Sequence, residues 1–250
     1  MKNLVKIYGE RNTGTNYIDR LIRMNLEAHL LNGVAPGYIQ TVQRILPGKQ
    51  FVRDKYFELT YGKNLGWKHT TVKPEPELRR YDIVKKGVCF VTVTKNPYSW
   101  LLSLHRRPYH RYYGEVPDFE SFLRAPWKTV GRDNCESVLR DPMELWNIKN
   151  GSYLRLKSLK AANITSESVL ADPKALIDRL SDSFSIPRSD RYFSNLDKST
   201  KDKNKNFDYY TDYYLNERWK DELTDEAVSI INSRLDKAVV DYFGYQLLDN

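Results

Sequence analysis

Residues 4–23 read LVKIYGERNTGTNYIDRLIR, and this stretch decides the fold. Leu4–Tyr8 is a short apolar run interrupted by Lys6. The polar segment Gly9-Glu10-Arg11-Asn12-Thr13-Gly14-Thr15-Asn16 follows, with two glycines in it. Tyr17, Ile18, Leu21 and Ile22 then recur at helical spacing. The order is strand, tight loop, helix. Such a loop gathers backbone N–H groups at one point, and the helix dipole adds positive potential there. It suits a phosphate or a sulfuryl group. Thr13 and Thr15 offer hydroxyls and Arg11 a charged fork. An ordinary strand–helix turn of an α/β domain has the same short pattern, and no Gly-Lys-Ser/Thr closes the loop as a Walker A motif would.

Outward from this stretch, the chain reads as one domain over residues 1–250. It has 250 residues, 40% hydrophobic and 29% charged, enough to bury a full core. Its formal net charge of +8 favours anionic partners such as nucleic acid, a nucleotide, an acidic glycan or a membrane surface, without choosing among them. Cys89 lies in the apolar run GVCFVTV and reads as a buried small hydrophobe. Cys135 and the four histidines show no metal-ligand spacing, so no metal is expected. No run approaches 18 apolar residues and no signal-peptide stretch opens the chain, which makes a cytoplasmic location the expectation.

Along the chain, Leu4–Tyr8 is expected as a central parallel strand and Thr15 to about Leu31 as the first helix. Gln50–Leu59 reads as a helix or an excursion over the sheet edge. Leu65–His69 reads as a short strand ending in polar residues. Val88–Thr94 is the strongest strand, apolar enough for burial on both faces, and Pro97 opens a helix after it. Further helices are expected from Asp118, Asp141-Pro142, Asp172-Pro173 and Thr224, with a last strand over Asn163–Val169. Residues 197–206, DKSTKDKNKN, hold no apolar side chain and read as a Lys-rich loop. Alternating strands and helices give a three-layer α/β fold, a mainly parallel central sheet flanked by helices, with ligands bound at strand carboxyl ends. Three such ends carry chemistry: 9–16, 67–70 and 94–97.

In this order the pieces resemble the sulfotransferases that use 3′-phosphoadenosine 5′-phosphosulfate, whose fold is P-loop NTPase-like. Arg11-Asn12-Thr13-Gly14-Thr15-Asn16 matches the family's 5′-phosphosulfate loop, usually Arg/Lys-Ser/Gly-Gly-Thr-Thr. Lys95-Asn96-Pro97 with Ser103 matches its 3′-phosphate motif, Arg-Asn-Pro and a Ser eight residues after the Arg. Trp67-Lys68-His69 matches a strand end with Lys and His. Weaker agreements are Phe119–Leu123, Trp146-Asn147, the 167–173 stretch and Phe243-Gly244-Tyr245. The family's loop Lys falls at Asn12, and its motif Arg at Lys95, which keeps the charge but loses the bidentate fork.

The resemblance implies a sulfuryl transfer to an acceptor hydroxyl, with the 5′ end held by 11–16 and the 3′-phosphate by Lys95 and Ser103. Lys201, Lys203 and Lys205 fall where family members carry a basic loop closing over that phosphate. His69 is the candidate general base, with Glu10 second, and Arg11 and Lys68 are the candidates for neutralising charge on the bridging oxygen. A structural role for His69 and an ion pair between Glu10 and Arg11 are the plainer readings. His105, Arg106, Arg107 and Tyr109, with His110, Arg111, Tyr112 and Tyr113, are candidates to line a site for an anionic or sugar acceptor; a solvated basic face is the alternative. Two other functions compete. A nucleotide-dependent kinase needs a Walker Lys and a strand-end Asp, and the strand at 88–94 ends in Thr-Lys. A nucleic-acid module draws on HRRPYHRYY, because basic-aromatic stretches can stack bases.

Overall fold

A computed structural model describes residues 3–46, 50–109, 117–197 and 205–249. Six strands are present among them: β1 Asn3–Gly9, β2 Ala28–Leu30, β3 Cys89–Thr94, β4 Trp127–Lys128, β5 Val138–Leu139 and β6 Ala161–Thr165. Four form an all-parallel sheet in the order β2-β1-β3-β6, and β4 and β5 pair as a separate antiparallel ribbon. The sheet is flanked by helices on both faces, the expected α/β architecture.

Alternation along the strands explains the layers. Val5, Ile7, Val91, Val93 and Ile164 point to one face, where they pack against helices Thr15–Asn25 and Pro173–Phe184. Tyr8 and Phe90 point to the other and meet Leu65, Val72, Tyr153 and Leu156. β3 is buried along its whole length, as its apolar run demands. A third core, helix on helix, joins helix Pro97–Arg106 to Pro142–Tyr153 and to the C-terminal helices around Trp100, Trp146 and Trp219.

Local signals set most of the helix starts. Asn96 accepts from the N–H groups of Tyr98 and Ser99 with Pro97 at the first helical position, and Asp141, Asp172 and Thr224 cap their helices in the same manner. Four expectations need correction. The first helix stops at Asn25, because Leu26, Ala28 and Leu30 alternate inward and add β2 beside β1. Leu65–His69 is a turn rather than a strand: Leu65 and Gly66, at φ 58° and 81°, end helix Phe51–Asn64 in the left-handed region. The last strand ends at Thr165, whose hydroxyl caps a helix over Ser166–Ala171. The apolar spacing of Val228, Ile231, Leu235, Val239 and Tyr242 reads as one helix from Thr224, but it is two, Asp225–Asn232 and Lys237–Tyr242, with Asp236 capping the second.

Lys6 accounts for the break in the β1 apolar run. It is fully buried, and its ammonium donates to the carbonyl oxygens of Asn64 at 2.6 Å and Gly66. The Tyr8 hydroxyl donates to the carbonyl of Leu65 at 2.7 Å. Two β1 side chains thus satisfy the orphan carbonyls of a helix end. They also fix the chain that runs on into Trp67-Lys68-His69.

Candidate functional site

β1, β3 and β6 end side by side, and their carboxyl ends open into one cleft of about 490 Å³. The loop after β1 forms its floor. A Cβ at Gly9 would lie 2.6 Å from Thr15 Cγ2 and 2.9 Å from both Thr13 Oγ1 and the Val93 carbonyl oxygen, so the loop curls onto β1 only because residue 9 has no side chain. Asn12 and Gly14 are left-handed, at φ 66° and 87°. Tyr17 and Ile18 both donate to the Gly14 carbonyl, at 2.9 and 3.1 Å. The N–H groups of Gly14, Thr15 and Asn16 find no acceptor among the described residues. The helix thus begins with three free amides at the positive end of its dipole. The Thr13 hydroxyl donates inward to the Glu10 carbonyl at 2.6 Å, so its proton serves the loop. Ser166, from the end of β6, donates to the carbonyls of Thr13 at 2.6 Å and Thr94 at 3.1 Å and ties the loop to β3.

A second cationic point lies at the end of β3. Lys95 is 2% exposed, and its ammonium donates to Ser103 Oγ at 2.9 Å. The eight-residue spacing brings the two together because Ser103 stands two turns into the helix that Asn96 caps. Ser103 Oγ in turn donates to the Ser99 carbonyl at 2.8 Å, and the Lys95 ammonium lies 3.8 Å from the centre of the Tyr214 ring. Burial alone would raise the Tyr214 pKa, yet the Lys95 charge and the hydrogen bonds from Lys95 and Ser103 bring it below its ordinary value.

His69 forms the third element. Its ring meets the Gly9 carbonyl oxygen through Nδ1. A carbonyl only accepts, so Nδ1 carries the proton and Nε2 is the lone-pair nitrogen. Burial first, then the charges of Lys68 and Arg11, hold the imidazole well below its ordinary pKa, which keeps it neutral at pH 7. Gly9 N–H donates to the Lys68 carbonyl at 2.9 Å, so the 67–69 segment is held against β1 by main-chain bonds although it is no strand. Lys68 donates to Asn16 Oδ1. The Arg11 guanidinium lies 3.9 Å from the centre of the Tyr109 ring and 5.0 Å from that of Trp67.

Glu10 is placed behind this wall and does not line the cleft. It is 1% exposed, and Oε1 accepts from the Arg11 N–H at 2.6 Å and the Tyr109 hydroxyl at 2.7 Å. Its Oε2 lies 3.6 Å from the ammonium of Lys149, which also pairs with Asp133 at 2.7 Å and donates to the His69 carbonyl at 2.6 Å. Burial raises the Glu10 pKa against the pull of Lys149. Lys149 and Asp133 are unforeseen members of the site. Within NIKNG the Lys carries no sequence signal of burial.

The cleft brings together Arg11, Asn12, Thr13, Gly14, Thr15, Asn16, Lys68, His69, Lys95, Ser103, Arg106, Arg107, Tyr109 and Lys205. Arg106 is ion-paired with Glu222, and Lys205 donates to the Tyr209 hydroxyl at 2.8 Å. His105 lies apart from them: its Nε2 meets the Pro117 carbonyl at 2.8 Å and its ring packs against Phe119 and Phe122. An acceptor-binding His105 is therefore not supported by its position. Lys201 and Lys203, and with them His110, Arg111, Tyr112 and Tyr113, lie outside the described residues. The rest of the wall is apolar and aromatic: Tyr17, Val169, Leu170, Leu196, Phe207, Tyr210 and Tyr214. Tyr17 and Phe207 lie with ring centres 6.1 Å apart, and the Tyr17 hydroxyl is tied to Asn195 at 2.7 Å. One cleft thus joins two cationic or donor-rich points, an apolar wall and a neutral imidazole.

Solved structures similar to this chain are sulfotransferases. The sulfotransferase domain from the curacin biosynthetic pathway aligns over 99% of both chains at 12% identity, with a TM-score of 0.45. A sulfotransferase from Alicyclobacillus acidocaldarius aligns over 96% of this chain and 99% of its own, at 14% identity and a TM-score of 0.41. No family model and no curated protein matches the sequence.

Proposed function

We propose that this chain is a sulfotransferase that moves a sulfuryl group from 3′-phosphoadenosine 5′-phosphosulfate to an acceptor hydroxyl. The observation that carries the reading is the Lys95–Ser103 contact at 2.9 Å in the same cleft as the free amides of Gly14, Thr15 and Asn16. A nucleotide with anionic groups at both its 3′ and 5′ ends needs two such points, and the apolar wall between Tyr17 and Phe207 suits a purine face.

The donor supplies a sulfuryl group on a phosphate leaving group. This chain's residues do the rest by positioning and charge neutralisation. The loop amides and the Thr15 hydroxyl hold the 5′ end, and Lys95 with Ser103 hold the 3′-phosphate. Arg11 and Lys68 balance charge that grows on the bridging oxygen as the S–O bond to it breaks. His69 Nε2 takes the acceptor hydroxyl proton as the new S–O bond forms. Its neutral state makes it competent at pH 7, and such a base contributes about 10²–10⁴-fold. Glu10 contributes from behind, by fixing Arg11 and Tyr109. The chemistry at every step is that of an in-line displacement.

Calorimetric titration with 3′-phosphoadenosine 5′-phosphate against adenosine 5′-phosphate tests the reading. Wild type should prefer the 3′-phosphorylated nucleotide, and Lys95→Ala should lose that preference by about 10–100-fold, the worth of a charged hydrogen bond. Equal binding of the two nucleotides would overturn it.

A further inference from the structure

Exposed apolar side chains concentrate in one short part of the chain. Among the described residues, six of the eleven exposed large hydrophobic side chains fall between positions 34 and 59: Val34, Tyr38, Val42, Ile45, Phe51 and Leu59, from 42% to 82% exposed. Helix Gly37–Ile45 is turned inside out. Its buried residue is Gln43, while Tyr38, Val42 and Ile45, spaced four and three apart, share the opposite side. In helix Phe51–Asn64 the buried Phe57 marks the inner side, and Phe51, Lys55 and Leu59 recur at intervals of four along the outer one. The two helices pack on each other, and Ile39, Tyr56 and Phe57 hold them to the body through Ala35, Trp67 and Val130. The Lys68 N–H donates to the Gly33 carbonyl at 3.0 Å and fixes the chain that leads into the first of them. The pair is thus anchored on its inner side, and the outer apolar side chains add nothing to that core.

The charge of this region has one sign. Residues 28–53 contain no Asp or Glu and hold Arg44, Lys49 and Arg53, of which Lys49 lies outside the described residues. The next two acids are already neutralised, Asp54 by Arg132 and Glu58 by Lys55, each at 2.7 Å. Arg44 is exposed, next to Ile45, and no carboxylate among the described residues is ion-paired with it. A clustered apolar surface of this kind marks a contact face. Two copies meeting through it would bring like charges together, which disfavours a dimer. Helices of nine and fourteen residues are too short to cross a bilayer. Aliphatic and aromatic side chains along one side of a helix, with cations beside them and no acid, suit the headgroup boundary of an anionic bilayer.

We infer that the outer face of helices Gly37–Ile45 and Phe51–Asn64 docks on an anionic lipid bilayer. Tyr38, Val42, Ile45, Phe51 and Leu59 enter the headgroup boundary, and Arg44 meets lipid phosphates. A convex face with protruding side chains fits a soft layer that closes around it and needs no preformed groove. The docking does not rest on the reaction proposed above, since no residue of the cleft takes part in it.

Flotation of the full chain with vesicles tests the docking, using phosphatidylcholine alone and an equal mixture of phosphatidylcholine and phosphatidylglycerol. The protein should float with the mixed vesicles and far less with the neutral ones, and added salt should weaken the binding. Ile45→Ser combined with Phe51→Ser should lower the partition coefficient on mixed vesicles at least about tenfold. Arg44→Gln should lower it about fivefold on mixed vesicles and leave the neutral ones unchanged. Tyr192→Ser, which removes an exposed ring elsewhere, should bind as wild type does. All these positions are on the surface, and thermal melting checks that each variant is folded. Absence of vesicle binding, equal binding to both vesicle types, or wild-type binding by the Ile45/Phe51 double variant overturns the proposal. A vesicle-free dimer in analytical ultracentrifugation that the double variant dissolves would give the face to a second copy instead, and overturn it too. The readout involves no nucleotide, so failure of the cofactor titration leaves this inference standing, and the reverse holds equally.

Discussion

Lys149 donates to the carbonyl oxygen of His69 at 2.6 Å while pairing with Asp133 at 2.7 Å, so a buried ammonium on helix Pro142–Tyr153 holds the main chain of the candidate base. Lys149 is fully buried, and Glu10 and Asp133 share its charge. Burial alone would lower its pKa, but these two carboxylates raise it. Lys149→Met would leave both acids buried without a counter-charge. It should cost about 3–5 kcal/mol in urea denaturation. Adding Asp133→Asn should recover part of the loss, because one uncompensated charge is removed with it.

The depressed pKa of His69 gives a signed prediction. The unfolded chain takes up this proton more readily than the folded one. Stability from His69 is therefore complete above about pH 6.5 and is lost as the pH falls below it, by up to about 1.4 kcal/mol per pH unit. Urea unfolding between pH 7.5 and 5 should show this slope in wild type and a shallower one in His69→Gln. Lys68→Gln removes one of the charges that depress the pKa, so the NMR titration midpoint of His69 should rise in that variant.

Gly9→Ala should disorganise the loop. The new methyl would meet Thr15 Cγ2 at 2.6 Å and the fixed Val93 carbonyl at 2.9 Å. A cost of about 1–3 kcal/mol in stability is expected, with a larger proportional loss of nucleotide affinity because the free amides are displaced. Melting temperature and nucleotide titration on the same sample separate the two effects.

Lys6→Met keeps the volume inside the sheet and leaves the carbonyls of Asn64 and Gly66 without their donor. About 1–3 kcal/mol per buried unsatisfied group is the expected loss in denaturation. Because residues 64–66 lead into His69, the variant should also lower turnover more than a remote substitution of equal stability cost.

The elements written in local pattern were legible from the sequence. β1, the loop, β3, the Pro97 helix and the Lys95–Ser103 spacing each lie within a dozen residues, so periodicity and capping define them. What was not legible is made by distance along the chain. Tyr214 reaches Lys95 across 119 positions, Ser166 reaches Thr13 across 153, and Lys149 reaches His69 across 80. Nothing near Lys149 or Arg132 in sequence tells a buried charge from a solvated one. The turn at Leu65-Gly66 was misread because an apolar residue in the left-handed region looks like the start of a strand. β2 was hidden by its length of three residues.

The bond from His69 to the Gly9 carbonyl has a consequence for inheritance. In many sites the proton on a catalytic imidazole is assigned by a neighbouring carboxylate, which one codon change can delete. Here the assignment is made by a main-chain oxygen, which every amino acid possesses. No single substitution removes that acceptor; a change can only move it. The identity of the lone-pair nitrogen is therefore buffered against mutational drift.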